Sequence, residues 1–276
     1  MNYIYNNIKD DWRCNMKKNK IMYNITFAVI ILCIIVGIFM VSNSVFYIIK
    51  DSIINKNNEK KYVEIDNNEA EITKGNSIES ERKKSNDIEY KEILDRYKEI
   101  LPINKEVVGW IKFDNSKINY PITQHSDNEY YLHNDADNNP SIYGSVYLDY
   151  RNSKDIDDEN NVIYGHNMCD GSMFNDILKL KDKKFFEENP DIYISDLYKE
   201  FTWKIFAVYV VNADTETIDI NYDTDEEFLD YIKSCETRSL FKRDVNLSKD
   251  DKIITLVTCS YETDNSRTIV QAKLTN

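Results

Sequence analysis

Three side chains in this sequence have the types and settings needed for acyl transfer through a thioester. Thr255-Leu256-Val257-Thr258-Cys259 is a β-branched run that delivers one cysteine to the end of an expected strand. Arg267 opens the next apolar run, Arg267 to Leu274. Upstream, Asn161-Val162-Ile163-Tyr164-Gly165-His166 ends a third strand-like run on a histidine. A thiol supplies the nucleophile, an imidazole moves the proton, and a guanidinium steadies negative charge developing on oxygen. Gly165 suits a tight strand-to-loop turn before His166. Arg267 keeps its charge at any working pH and offers several donors in a fixed fork.

Each residue also has a plainer reading. A free cysteine is usually a small buried hydrophobe, and a single strand arginine usually sits on a solvated face. His125 and His133 read as structural histidines, since neither follows a strand-end glycine. His166 and Cys169 form an H-x-x-C half-site, but a zinc centre needs about four ligands, often in two close pairs. The acidic run Asp155, Asp157, Asp158 and Glu159 lacks the glycine and terminal glutamate of a calcium loop, and reads as solvated. Tyr143, Tyr147, Tyr150 and Tyr164 suit either a groove or barrel packing.

The elements that must position these groups follow from patterning. Eight short β-type runs are separated by Asn, Asp, Gly and Pro clusters: 109–113, 118–122, 144–150, 161–165, 192–195, 201–211, 252–258 and 268–274. Helical spacing precedes them, through Ile88, Ile93, Leu94, Tyr97 and Ile100, and stops at Pro102. Two helical insertions are expected, at 173–180 and 226–235. Eight strands with few helices predict a mainly β domain closed into a barrel, occupying 87–276.

Residues 21–49 carry no charge, and Ile25 to Val41 is long enough to cross a bilayer as a helix. Lys9, Arg13, Lys17, Lys18 and Lys20 precede it. The positive-inside bias predicts a cytoplasmic segment 1–20, an uncleaved anchor over 21–49 and an extracellular remainder. Residues 50–86 are polar without apolar periodicity, and read as a linker that holds the domain off the membrane. The net charge of −13 argues against nucleic acid as a partner. The five cysteines show no disulfide framework, and a Cys169–Cys235 bridge stays open.

Taken together, TLVTC (255–259), Arg267 and YGHNM (164–168) resemble the sortases, membrane-anchored cysteine transpeptidases of Gram-positive-type cell surfaces. NYPITQ (119–124), NEYYLHND (128–135), GSVYLDYRN (144–152) and the helix-bearing stretch 212–251 are similar to class B in particular. The resemblance covers roughly Tyr90 to Leu274 and implies an eight-stranded barrel. It implies Cys259 as nucleophile, His166 as acid/base and Arg267 as the oxyanion or substrate-positioning group, with no cofactor. The implied partners are secreted proteins bearing a C-terminal sorting signal of the NPxTx or PxTG kind and a cell-wall amine. Class B members usually carry serine where Val257 stands, so one hydroxyl is missing here. A Cys-His hydrolase and a non-catalytic surface-binding module are the alternatives.

Overall fold

The computed structural model describes residues 2–76 and 92–275, with side chains described from 22 to 69 and from 92 onward. The expected domain start at Asp87, and Ile88 of the helical run, lie outside these residues. The chain divides into two compact units, Met1–Ile53 and Ile54–Asn276.

Helix α1 spans Asn2–Asn76. Within the first unit, the stretch from Met22 onward is long and apolar enough to cross a membrane, and side chains such as Ile25, Phe39 and Val41 are exposed. Length and composition make it compatible with a membrane anchor.

The second unit is a closed barrel of eight strands: β1 (Val107–Lys112), β2 (Asn119–Thr123), β3 (Val146–Leu148), β4 (Asn160–Tyr164), β5 (Asp191–Ser195), β6 (Glu200–Asn212), β7 (Ile253–Cys259) and β8 (Ser266–Leu274). Their order around the barrel is β1-β2-β3-β4-β7-β8-β6-β5. β2/β3 and β4/β7 pair in parallel and the other neighbours antiparallel. Closure leaves no free sheet edge. All eight expected strands form, each within a few residues of its expected bounds. The insertion expected at 173–180 is a 3₁₀ helix, Phe174–Lys181. The second is α4 (Asp225–Arg238), capped by Thr224, whose side chain accepts from Glu227 N. Two further helices are short: α2 (Asp95–Ile100) and α3 (Lys183–Glu188).

Strand alternation builds two cores. Ile254, Leu256, Val270 and Ala272 point into the barrel with Ile111 and Trp203. Ile253, Val257 and Ile269 point outward, and α4 covers that face with Phe228, Ile232 and Cys235.

The expected polar linker differs from what is found. Its part from Ile54 to Glu69 is helical and packs on the barrel. Tyr62 and Ile65 are buried, and the Tyr62 ring meets Trp110 edge-on at 5.7 Å. Glu59 accepts from the Tyr120 hydroxyl at 3.0 Å, and Asp66 accepts from Lys112 Nζ at 2.7 Å. The buried Arg96 guanidinium of α2 bonds Glu69 and reaches Glu200 Oε2 at 3.2 Å. Two apolar residues three apart make one narrow contact stripe, too sparse to register as periodicity.

This helical part therefore belongs to the folded unit. A fragment beginning at Ile54 is expected to melt several degrees above one beginning at Asp87, since burying one large side chain contributes about 1.5–3 kcal/mol. Thermal unfolding of the two fragments followed by circular dichroism checks this, and equal melting points would refute it.

Candidate functional site

The register of three neighbouring strands sets the site. β4 pairs with β7 in parallel, Tyr164 against Val257. Two residues further along both chains stand His166 and Cys259. Backbone and side-chain bonds carry the alignment past the strand end: Gly165 N donates to Val257 O at 3.2 Å, and Thr258 Oγ1 donates to Gly165 O at 2.7 Å. On the other side β7 pairs antiparallel with β8, and Cys259 stands directly opposite Arg267. Alternation puts Cys259, Val257, Arg267 and Ile269 on the outer face of the barrel. The fold thus brings the three sequence-predicted residues to one end of three adjacent strands, and each is partly exposed.

His166 is fixed by its surroundings. Its Nε2 lies 2.8 Å from Leu132 O. A carbonyl only accepts, so Nε2 carries the proton and Nδ1 is the nitrogen open to exchange. Its backbone carbonyl accepts from Phe174 N at 2.8 Å. Gly144, with φ of +57°, turns the chain beside the ring; a Cβ there would lie 3.1 Å from His166 Cδ2. Gly165 is required for space and not for a turn, because a Cβ would meet the buried Phe174 ring at 2.6–3.0 Å.

Asn167 links the histidine loop to the cysteine strand. Its Nδ2 donates to Cys259 O at 2.9 Å, and its Oδ1 accepts from Asn175 Nδ2 at 2.6 Å. The YGHNM motif contains Asn167, but its partners lie 92 and 8 positions away and leave no local signal. Leu132 and Gly144 were equally hidden.

Beside Arg267 the outer face opens into a groove of about 310 Å³, walled by Tyr164, Val257 and Ile269 on one side and by Glu216, Thr217 and Ile218 on the other. Tyr164 and Tyr147 stack at 5.2 Å. Of the four tyrosines, Tyr164 lines this groove, while Tyr143 donates to Asp170 and Tyr150 is exposed. The Tyr164 hydroxyl donates to Asp149 Oδ2 at 3.1 Å. Asp149 is fully buried and takes two 2.9 Å bonds from Arg151. Burial alone would raise its carboxyl; the Arg151 bonds outweigh that and hold it below the usual carboxylate range.

The remaining candidates take structural places. His125 Nδ1 bonds the Glu106 carboxylate at 3.0 Å, and its ring stacks on Tyr130 at 4.4 Å. Cys169 and Cys235 are both free, the first exposed and the second buried, so no bridge joins them. Among the described residues, no three His, Cys, Asp or Glu side chains converge as a metal site. In the acidic run, Asp158 accepts from Asn152 and Ser153, and Glu159 from Tyr222 N.

Two outcomes follow. Gly165→Ala forces Phe174 aside and is expected to cost about 1–3 kcal/mol, read as a lower urea midpoint at unchanged slope. Asp149 has a depressed pKa, so its contribution to stability is complete above its unfolded value of about 3.9 and is lost as pH falls through the folded value. Asp149→Asn should therefore be less stable at pH 7 and show a flatter stability decline in acid. Parallel urea titrations from pH 7 to pH 3 decide it; curves of the same shape would refute the assignment.

Comparison with known proteins agrees with this architecture. The Sortase domain family matches residues 111–275. Sortase B of Listeria monocytogenes is 38% identical over 185 residues, which is 66% of this chain and 75% of that protein. Sortase B of Staphylococcus aureus is 27% identical over 186 residues, 67% of this chain and 76% of that protein. The crystal structure of Clostridium perfringens sortase B is 38% identical and superposes with a TM-score of 0.63, covering 65% of this chain and 100% of that one. With the same closed barrel, a family match that spans residues 111–275 and these relatives, the chain belongs to the sortase family, in class B.

Proposed function

We propose that this enzyme is a cysteine transpeptidase that cleaves a C-terminal sorting signal after threonine and joins the released carboxyl end to a cell-wall amine. The observation that carries this reading is the strand register that sets His166 level with Cys259 and Arg267 opposite it. In the proposed reaction the Cys259 thiol passes its proton to His166 as Sγ attacks the carbonyl carbon of the Thr–X bond. The carbon–nitrogen bond then breaks, and His166 gives a proton to the leaving amine. A thioester remains on Cys259. An incoming amine attacks the thioester and gives a proton to His166, the carbon–sulfur bond breaks, and His166 returns that proton to Sγ. Proton transfer runs through Nδ1, because Leu132 O holds Nε2 as a donor. The Arg267 guanidinium steadies the negative charge that develops on the carbonyl oxygen in both steps.

The sorting motif in this proposal is of the NPxTx or PxTG kind. The apolar stretch of α1 serves as a single-pass anchor with residues 1–20 cytoplasmic, as the flanking lysines and arginine favour. The barrel then faces the cell wall.

The test uses the full chain in detergent with quenched-fluorescent NPxTx and PxTG peptides, with and without triglycine. Expected are cleavage by the native chain, a triglycine adduct in the product, and no cleavage by Cys259→Ala. Arg267→Ala should lose about 10²–10³-fold in kcat, and Arg267→Lys should recover only part, since it keeps the charge without the fork. A free-acid product at every triglycine concentration would replace the transpeptidase with a hydrolase.

A further inference from the structure

We propose that Arg238, at the end of α4, is a positioning residue for substrate capture: it fixes the loop that walls the groove beside Arg267. The inference rests on the transpeptidase reading, and it goes beyond it by giving α4 a part in the reaction.

The loop runs from Ala213 to Ile220, between β6 and α4. Its ends are tied to the barrel through the backbone. Ala213 N donates to Asn265 O at 3.0 Å, and Asn160 N donates to Ile220 O at 3.0 Å. Arg151 Nη2 reaches Ile218 O at 3.1 Å, and Asn160 Nδ2 reaches Asp219 O at 2.7 Å. The middle of the loop, where Glu216 and Thr217 face the groove, is tied differently. Glu216 N closes a turn on Asn212 O at 3.1 Å, and its carboxylate receives Arg238 Nη1 at 2.7 and 2.9 Å. Among the described residues, Arg238 is the one ion-pair partner of Glu216.

Arg238 is itself immobilised. Its guanidinium lies over the Tyr209 ring at 4.3 Å, and Nη2 donates to the Tyr209 hydroxyl at 3.2 Å. Tyr209 is buried on β6, whose next strand is β8, the strand of Arg267. The path from barrel to loop is therefore a buried ring, a stacked planar cation and a two-contact ion pair. Both ion-pair partners are largely shielded from water, with side-chain exposures of 32% and 17%. An ion pair in that setting holds its partner more firmly than an exposed surface pair does.

None of the bonds that fix His166, Asn167 or the strand end at Cys259 passes through this loop. Loosening the loop should therefore weaken capture of the peptide and leave the chemistry at sulfur alone. Glu216 and Arg238 neutralise one another, so the pair sets shape and adds no net charge to the groove.

The experiment measures kcat and KM of the full chain in detergent on the sorting peptide it cleaves, for Glu216→Gln, Arg238→Gln, the double variant, and the reversed pair Glu216→Arg with Arg238→Glu. Alkylation of Cys259 by iodoacetamide runs alongside, as a probe too small to need the groove. Expected is a KM raised about tenfold in each single variant, with kcat and alkylation rate within about twofold of native. The double variant should be no worse than either single, as for two groups acting through one contact, and the reversed pair should regain part of the lost affinity. Glu216→Gln leaves the Tyr209 stacking untouched, so it stands if Arg238→Gln folds poorly. Native KM in Glu216→Gln, or a fall in kcat and alkylation at constant KM, overturns the inference alone. A native chain that cleaves no sorting peptide overturns the transpeptidase reading, and this inference with it.

Discussion

The site depends on strand register. His166, Cys259 and Arg267 belong to segments up to 101 positions apart in sequence, and only the pairing of β4, β7 and β8 makes them neighbours. A slip of one residue in any of these pairings would move each side chain to the opposite face. The barrel resists such a slip with a chain of polar groups within its outer core. Thr255 Oγ1 lies 2.7 Å from Asn160 Oδ1 and 3.0 Å from Gln271 Oε1, and Gln271 Nε2 donates to the hydroxyls of Tyr231 and Tyr209 at 2.9 and 3.2 Å. These contacts link β4, β7, β8, β6 and α4 in one layer. Asn160, Thr255 and Gln271 are fully buried, so a shifted pairing would strand unsatisfied polar groups, each at a cost of about 1–3 kcal/mol.

That layer also explains why the site sits on the outside of a barrel. The interior is filled by large side chains such as Ile111 and Trp203, both almost fully buried. The inward-facing residues of β7 serve that packing. The outward-facing ones alternate between the core under α4 and the open end where Cys259 and Arg267 stand. The groove there is walled by the 213–220 loop and not by side chains of α4. The groove is thus the continuation of the outer core beyond its cover, which accounts for its wall of Val257 and Ile269.

The strands were legible because their β-branched runs are bounded by turn residues, and each strand declares itself locally. Cys259, His166 and Arg267 were legible because each sits at the edge of such a run. What the sequence left hidden is long-range. Tyr62 and Ile65 are two apolar residues in a charged stretch, and only the barrel surface gives them a partner. Leu132 acts through its backbone oxygen, which no side-chain pattern encodes. Asn167 and Arg238 look like ordinary polar residues until the positions they bond, on other elements, are brought beside them. Gly165 was read as a turn residue; the close approach of Phe174, nine positions on, supplies the actual requirement.

The electrostatics of the groove follow from how its charges are partnered. The chain carries a net charge of −13, yet the groove presents two arginines. Arg151 is held by the buried Asp149 carboxylate, and Glu216 is held by Arg238. Arg267 has its one described bond to the Ser266 carbonyl at 3.0 Å and, among the described residues, no carboxylate partner. Its charge is therefore the one left uncompensated at the mouth of an apolar groove. In the proposed mechanism, a cation placed there beforehand would need no rearrangement as negative charge develops beside Cys259. Valine at position 257 sharpens this contrast, because a serine hydroxyl in that wall would offer a competing hydrogen-bonding group. The wall instead gives shape and low polarity, and in the proposed mechanism the polar work falls to Arg267.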